Sequence, residues 1–360
     1  RAQGYPKNGE SLDEATQREA RRVREHVGIV DISTLGKIDV QGSDSLEFLN
    51  RIYINNFSSL SVGSCRYGVM LRDDGLVDDD GTITHLSKNR YLITTTTIHA
   101  NSVLRRLEFL LQVEWTDLNV HLLSVTDDWA GIAIAGPKSR DLIKSVISHF
   151  DKDNVLSNKQ FPWLSYRNIE IGMCPVKAIR VAYTGELGWE LHHPIEYQNH
   201  IFDKLMEAGK DLGIKPFGIR AMNSLRLEKS YKLVGTELSI EYSPYESGLD
   251  RFVHPNKGNF IGLEALNKWR EKGFDNKLVT LEVHNTKDAD VLGNNPIYKD
   301  NKVVGRATGG EFGFRLDKSI ALAMVKPDCS NVGDKLQVDI LGEMYDATVL
   351  DESPYDSENK

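Results

Sequence analysis

Only three cysteines occur in the 360 residues, Cys65, Cys174 and Cys329, far apart and odd in number. There is no C-x-x-C, so neither a zinc site nor a disulfide framework is expected, and no metal. Reduced thiols in a cytoplasmic setting are the default expectation. No uninterrupted apolar run is long enough to span a bilayer, so no membrane segment is expected. The opening stretch RAQGYPKNGESLDEATQ has no apolar core of the kind a secretory signal needs, and it lacks an initiator Met. The simplest expectation is a piece of a longer chain, or a processed one. No block of Lys and Arg stands out and the net charge is −8, which argues against a nucleic-acid partner. G-x-S-x-G, P-loop and G-x-G-x-x-G patterns are all missing. The glycine-rich GGEFG at 309–313 is followed by no helical pattern, so a dinucleotide loop is not expected.

What is present is the material of a soluble globular protein: 40% hydrophobic and 27% charged residues. The length allows two domains, or one large domain with an appendage. Residues 11–27 read as a charged amphipathic helix, with Ser11 and Glu14 as a capping box. KIDVQG at 37–42 alternates like a strand, and 43–50 reads as a short helix with Leu46 and Leu49 on one face. Strands are expected over 67–71, 82–86 and 90–97, with a turn at Asp74-Gly75 between the first two and a helix over 99–111 after the third. The same grammar returns with strands at 129–135, 179–183 and 189–192 and helices at 139–146 and 197–212. Strand pairs alternating with single helices predict an α+β domain with mostly antiparallel sheets.

Near residue 276 the pattern changes. LVTLEV, NPIYKD, KVVGRAT, IALAMV, KLQVDI and MYDATVL follow at regular spacing, punctuated by Gly, Pro and Asp. That is the pattern of a small β-barrel or sandwich. The division expected is therefore 18–275 and 276–353.

Two stretches draw attention for chemistry. In RDDGLVDDDGT (72–82), Asp73, Asp74, Asp78, Asp79 and Asp80 crowd together. A solvated hairpin turn is one reading. A calcium loop fits poorly, because Gly81 at the sixth position puts Leu76 first and Ser87 twelfth, where carboxylates are needed. The third reading is a catalytic carboxylate whose neighbour raises its proton affinity. In AYTGELGWEL (182–191), Thr184-Gly185 is a turn, and Glu190 on a strand points opposite to Trp189 and Leu191. Tyr183 offers a flat ring for stacking. A surface Glu and a core Tyr are the plainer alternatives. His192-His193 invites a metal reading, but neighbours on a strand face opposite ways and do not chelate one ion.

Taken together these segments resemble the glycine cleavage T-protein (aminomethyltransferase) family, from about residue 18 to 350. The landmarks are GIVDIS (28–33), GKIDVQGSDSLEFLN (36–50), RYGVMLRDDGLVDDD (66–80), IAIAGPKSR (132–140), YTGELGWEL (183–191), SLRLEKSY (224–231), SPYESGLD (243–250) and KGNFIG (257–262), in family order. Within the family, STLGKIDVQG, RYGVMLRDDG…DDGT and RYLITTTT are similar to the C-terminal region of the α subunit of heterotetrameric sarcosine oxidases. Sarcosine and dimethylglycine dehydrogenases carry a related module.

The resemblance implies a folate-binding α+β body with a small C-terminal β-barrel around a central cavity. It implies tetrahydrofolate as cofactor, with flavin and NAD on other parts of the complex, and flavin-bearing sarcosine oxidase subunits as partners. By the same resemblance the catalytic Asp after the hairpin maps to Asp79, and an extra residue before the next strand leaves Asp80 as its rival. Glu190 maps to the carboxylate that holds the pterin edge, a task suited to a group that accepts two N–H bonds, and Tyr183 to the lining of the folate slot. One departure is Met222, where aminomethyltransferases carry an Arg that helps bind the folate tail; Arg220 lies two residues away. The Lys-Gly-Cys-Tyr signature of the iron–sulfur-related branch is replaced by Lys257-Gly258-Asn259-Phe260. The implied reaction is transfer of the carbon of a sarcosine-derived imine to tetrahydrofolate, giving glycine and 5,10-methylenetetrahydrofolate. A free-standing aminomethyltransferase and a non-catalytic folate-binding module are the alternatives.

Overall fold

Ser11 opens the first helix as the sequence leads one to expect. Its hydroxyl accepts from Glu14 N at 3.2 Å, and the Glu14 carboxylate accepts from Ser11 N at 2.8 Å. A computed structural model describes residues 2–149, 151–287 and 289–358. In chain order the first part contains α1 (Leu12–Glu25), β1 (Gly28–Asp31), β2 (Gly36–Gln41), α2 (Ser45–Ile52), β3 (Cys65–Leu71), β4 (Val77–Ser87), β5 (Arg90–Thr95) and α3 (Ala100–Phe109). Then come β6 (His121–Ser124), β7 (Trp129–Ala135), α4 (Ser139–Val146), α5 (Lys152–Val155), β8 (Tyr166–Ile171), β9 (Cys174–Ile179), β10 (Gly188–Pro194), α6 (Gln198–Ala208), β11 (Lys215–Pro216), α7 (Ile219–Leu227) and α8 (Leu263–Lys272). The last part is all β: β12 (Lys277–Val283), β13 (Pro296–Lys299), β14 (Lys302–Gly313), β15 (Lys318–Val325), β16 (Lys335–Ile340) and β17 (Glu343–Leu350).

Two sheets form the body. One has the order β3-β4-β5-β2-β6, the other β11-β1-β7-β10-β9-β8, and all pairs are antiparallel except β1 with β11. Period-2 alternation assigns their faces. Ile38, Val40, Met70, Ile83 and Ile93 pack with Phe48 of α2 and Leu107 of α3 on the outer face of the first sheet. Ile132, Ile134, Trp189 and Leu191 pack with α4 and α6 on the outer face of the second. Val30, Ala133 and Tyr183 belong to a third cluster, where α1 and α7 cover part of the other face. Between the sheets lies a smaller cluster of Cys65, Tyr166, Ile179, Leu86 and Val181. The sheets are stitched there by Cys65 N to Leu164 O and Tyr166 N to Gly63 O, both 2.8 Å.

The six expected strands close into a barrel of order β12-β15-β14-β13-β16-β17. The expected α+β body with its C-terminal β-barrel is thus observed, and three local readings are corrected. The strand after the Asp-Gly turn begins at Val77, not 82, so Asp78, Asp79 and Asp80 are strand residues. Pairing with β3 supplies the backbone partners that a polar turn would otherwise take from water. Residues 181–183 are not strand: β9 stops at Ile179, and its hairpin partner β8 went unread because its exposed face is polar. The helix expected over 197–212 ends at Ala208, capped by Gly209.

Candidate active site

The aspartate-rich segment divides into four environments. Asp74 stays in the turn, where it accepts from Leu76 N at 3.2 Å and pairs with Arg72 at 3.1 Å. Gly75 there has φ 80°, and a side chain at that position would meet Leu266 N of α8 at 2.9 Å. In β4 the pairing runs Leu71 with Val77 but Met70 with Asp79, so Asp78 is the extra residue of a bulge. Its carboxylate pairs with Arg106 of α3 at 2.5 Å.

Beyond the bulge strict alternation resumes. Asp79 lies across from Met70 and shares the outer, helix-covered face with Ile83. It is fully buried, accepts from Thr96 Oγ1 at 2.6 Å and Thr96 N at 3.3 Å, and stands 3.3 Å from His99 Nδ1. Burial raises its proton affinity, against the pull of Thr96 and His99. Asp80 lies across from Val69 and points to the opposite, inner face, where it accepts from Tyr67 OH at 2.7 Å. Burial, with the neighbouring charge of Asp79 adding to it, pushes Asp80 up to about 7, and the Tyr67 hydrogen bond opposes the rise.

Tyr67 meets Phe252 edge-on at 5.0 Å, and its own proton is held tightly by burial and by the Asp80 carboxylate. Tyr183 belongs to the same inner region. Its ring stacks on Tyr231 with centroids 5.9 Å apart, and its hydroxyl donates to Lys232 O at 2.6 Å. Burial pushes the Tyr183 phenol far up; Arg226 pulls it down, while Glu237 and Asp80 push it further up. Arg226 and Glu237 form a buried ion pair at 2.7 Å. Tyr67 and Tyr183 both feel the Asp80 charge, while Asp79 lies on the opposite face of β4.

Glu190 stands on β10 between Trp189 and Leu191, both fully buried on the outer face. Its own side chain is 17% exposed and looks inward, 3.1 Å from His192 Nε2. The inter-sheet thiol of Cys65 feels the Glu190 charge and is pushed up to about 12, mainly by burial. Both sheets therefore contribute a carboxylate to the inner side, Asp80 from one and Glu190 from the other. Met222 is buried beside Tyr183 in the α1/α7 cluster. Arg220 is committed elsewhere, to Asp13, Asp290 and Glu311 at 2.5–3.4 Å.

Tyr67, Tyr231, Arg226 and Glu237 were not singled out from the sequence, and His192 only as half of a disfavoured metal pair. Tyr67 had a readable signal, since parity along RYGVML places it on the face of Val69 and hence of Asp80. The Arg226–Glu237 pair had none. His193 points away from His192 and bonds Gln198 at 2.8 Å. Among the described residues no group of three His, Cys, Asp or Glu side chains is placed to hold a metal. The three cysteines are buried and unpaired in disulfides, and GGEFG lies within the barrel strand β14. No helix of the described residues is long and apolar enough to cross a membrane.

Comparison with known proteins bears on what this arrangement serves. Residues 1–257 match the GCVT N-terminal domain and residues 276–356 the glycine cleavage T-protein C-terminal barrel domain. The chain is 41% identical over 271 residues to sarcosine oxidase subunit alpha of Rhizobium meliloti (strain 1021), covering 74% of this chain and 27% of that protein. It is 34% identical over 336 residues to mitochondrial dimethylglycine dehydrogenase of Mus musculus, covering 93% of this chain and 37% of that protein. An aminomethyltransferase of Caldanaerobacter subterraneus subsp. tengcongensis is 32% identical over 343 residues, covering 94% of this chain and 87% of that one. The chain thus spans well under half of the first two relatives and most of the third. The fold superposes on glycine cleavage system aminomethyltransferase T from Bartonella henselae with a TM-score of 0.84 at 21% identity, over 95% of this chain and 90% of that one. With both of its domains matched and its fold shared, this chain belongs to the folate-dependent glycine cleavage T-protein (aminomethyltransferase) family.

Proposed function

We propose that this chain is the tetrahydrofolate-dependent one-carbon transfer module of a sarcosine-oxidising flavoenzyme. The observation that carries the reading is an inward carboxylate on each sheet, Asp80 hydrogen-bonded by Tyr67 on one and Glu190 beside His192 on the other. The residues fit a pterin. Glu190 accepts N–H donors from a flat heterocycle, and Tyr67 and Tyr183 supply aromatic walls. Bound there, tetrahydrofolate would supply two secondary amines to receive the carbon of a sarcosine-derived iminium, and their two N–H protons would leave for the departing glycine nitrogen. Asp80 is the group proposed to receive and return those protons, since a carboxylate near 7 is close to half ionised at neutral pH. Its charge also steadies a passing cation in a site shielded from water. Asp79, the first-ranked residue from sequence, faces Thr96 and His99; its proposed part is to raise Asp80 through its charge. Tyr183 anchors the turn that leads into β10, the strand that carries Glu190, by donating to Lys232 O.

The proposed partners are flavin-bearing subunits, which oxidise the amine, and the proposed setting is cytoplasmic. The test combines this chain with such subunits, sarcosine and tetrahydrofolate. Glycine and 5,10-methylenetetrahydrofolate should form in equal amounts, with formaldehyde replacing the latter when folate is left out. A second reading, a free-standing aminomethyltransferase, is favoured by the 87% coverage of the Caldanaerobacter relative. Against it stands Met222, where that activity leads one to expect an Arg. Ammonia release from an aminomethyl-lipoyl carrier protein would select the second reading. Folate binding with turnover in neither assay would leave a binding module.

A further inference from the structure

We infer that His192 is a positioning residue for Glu190, fixing the carboxylate through one of its oxygens while leaving each oxygen a lone pair for the ligand. The inference rests on the reading of Glu190 as the pterin carboxylate. His192 and Glu190 lie on the inner face of β10, two residues apart, with His192 Nε2 3.1 Å from Glu190 Oε2. The imidazole is fully buried while the Glu190 side chain is 17% exposed, so the histidine is a wall and the carboxylate a working surface.

The other ring nitrogen decides the tautomer. His192 Nδ1 is buried and has no hydrogen-bond partner among the described residues. Directly across the strand pair sits Gly131, where an added Cβ would fall 3.2 Å from Nδ1 and 3.0 Å from Ile32. The missing side chain at 131 is what makes room for the ring. A buried lone pair without a partner costs less than a buried N–H without an acceptor would. The Nε2–H tautomer therefore donates to Glu190; the other would set two lone pairs against each other across 3.1 Å. A glutamate has three side-chain torsions to order on binding, and a fixed donor removes much of that cost beforehand.

The test is calorimetric binding of 5-formyltetrahydrofolate to the full chain and to His192→Leu, His192→Gln, Glu190→Gln and the Glu190→Gln/His192→Leu double variant. His192→Leu should weaken binding about tenfold, the scale of one hydrogen bond to a charged group. His192→Gln, whose amide reaches the Nε2 position, should return to within about threefold of the parent, and the double variant should be no weaker than Glu190→Gln alone. Selective 15N-histidine spectra should show Nε2–H at the resonance lost in His192→Gln. Parent-like binding by His192→Leu, with Glu190→Gln weakened, overturns the inference and leaves the folate reading standing. So does a folded His192→Gln as weak as the Leu variant, or an Nδ1–H tautomer. Parent-like binding by Glu190→Gln overturns the folate reading and this inference with it.

Discussion

At the scale of single residues the decisive fact is how β4 turns its aspartates. Asp79 and Asp80 are adjacent, yet one is held by Thr96 and His99 under the helices and the other by Tyr67 on the inner side. If Asp80 works as a base, the transfer rate should rise with pH through about 7. Tyr67→Phe removes a donor that favours the ionised form, so the limb should move to higher pH; a stationary limb would exclude Asp80 as the titrating group. Stability supplies an independent check. The carboxyl titrates near 7 when folded and at about 3.9 when unfolded, so between those values the folded state keeps a proton the unfolded chain has lost. Stability then falls as pH rises and levels off above about 7. The gain in melting temperature from Asp80→Asn should be larger at pH 8 than at pH 5, and equal gains would contradict the raised value. From sequence, the five aspartates were reducible to two but not to one. A single bulge residue, Asp78, reverses which carboxylate faces inward, and no local propensity announces it.

At the scale of elements the YTGE turn depends on a charge borrowed from α1. Arg24 donates to Thr184 O at 2.6 Å and Leu225 O at 3.1 Å, and pairs with Glu228 at 2.6 Å and Glu186 at 3.0 Å, all nearly out of water. Glu228 in turn accepts from Arg315 N and Leu316 N, where the barrel strands β14 and β15 turn. Arg24→Met leaves Glu228 buried and uncompensated and should cost about 3–5 kcal/mol in denaturant unfolding. A loss under about 1 kcal/mol would mean that the network is solvated. Strands with clean alternation or apolar runs, such as Trp129–Ala135 and the six of the barrel, were legible from pattern alone. α7 and α8 were not. Six of the nine residues of α7 are buried, between the barrel and α1, so its apolar positions do not trace a single stripe.

At the scale of the whole molecule the barrel is bolted to the body rather than tethered to it. Ser224 Oγ donates to Phe312 O at 2.6 Å, Thr308 Oγ1 to Glu237 at 2.5 Å, and Ser230 and Thr280 share a buried hydrogen bond at 2.7 Å. The chain continues past β17 and returns to the body, where Tyr355 N meets Glu228 O at 2.9 Å and Tyr355 OH donates to Glu186 at 2.9 Å. Body and barrel should therefore melt in one calorimetric transition; two resolved transitions would mean that these bonds do not couple them. Under the proposed function the coupling reaches the site, because Glu237, whose charge acts on Tyr183, is itself held by barrel residue Thr308.

The central claim is that the inward aspartate of β4 carries the carbon transfer. It is tested most directly by comparing Asp79→Asn and Asp80→Asn in a single-turnover assay of methylenetetrahydrofolate formation, with folate binding measured on the same samples. Asp80→Asn should bind folate and lose transfer by about 100-fold or more, the usual scale for removing a general base, while Asp79→Asn should keep most of it. Loss of transfer in Asp79→Asn with an active Asp80→Asn would contradict the claim.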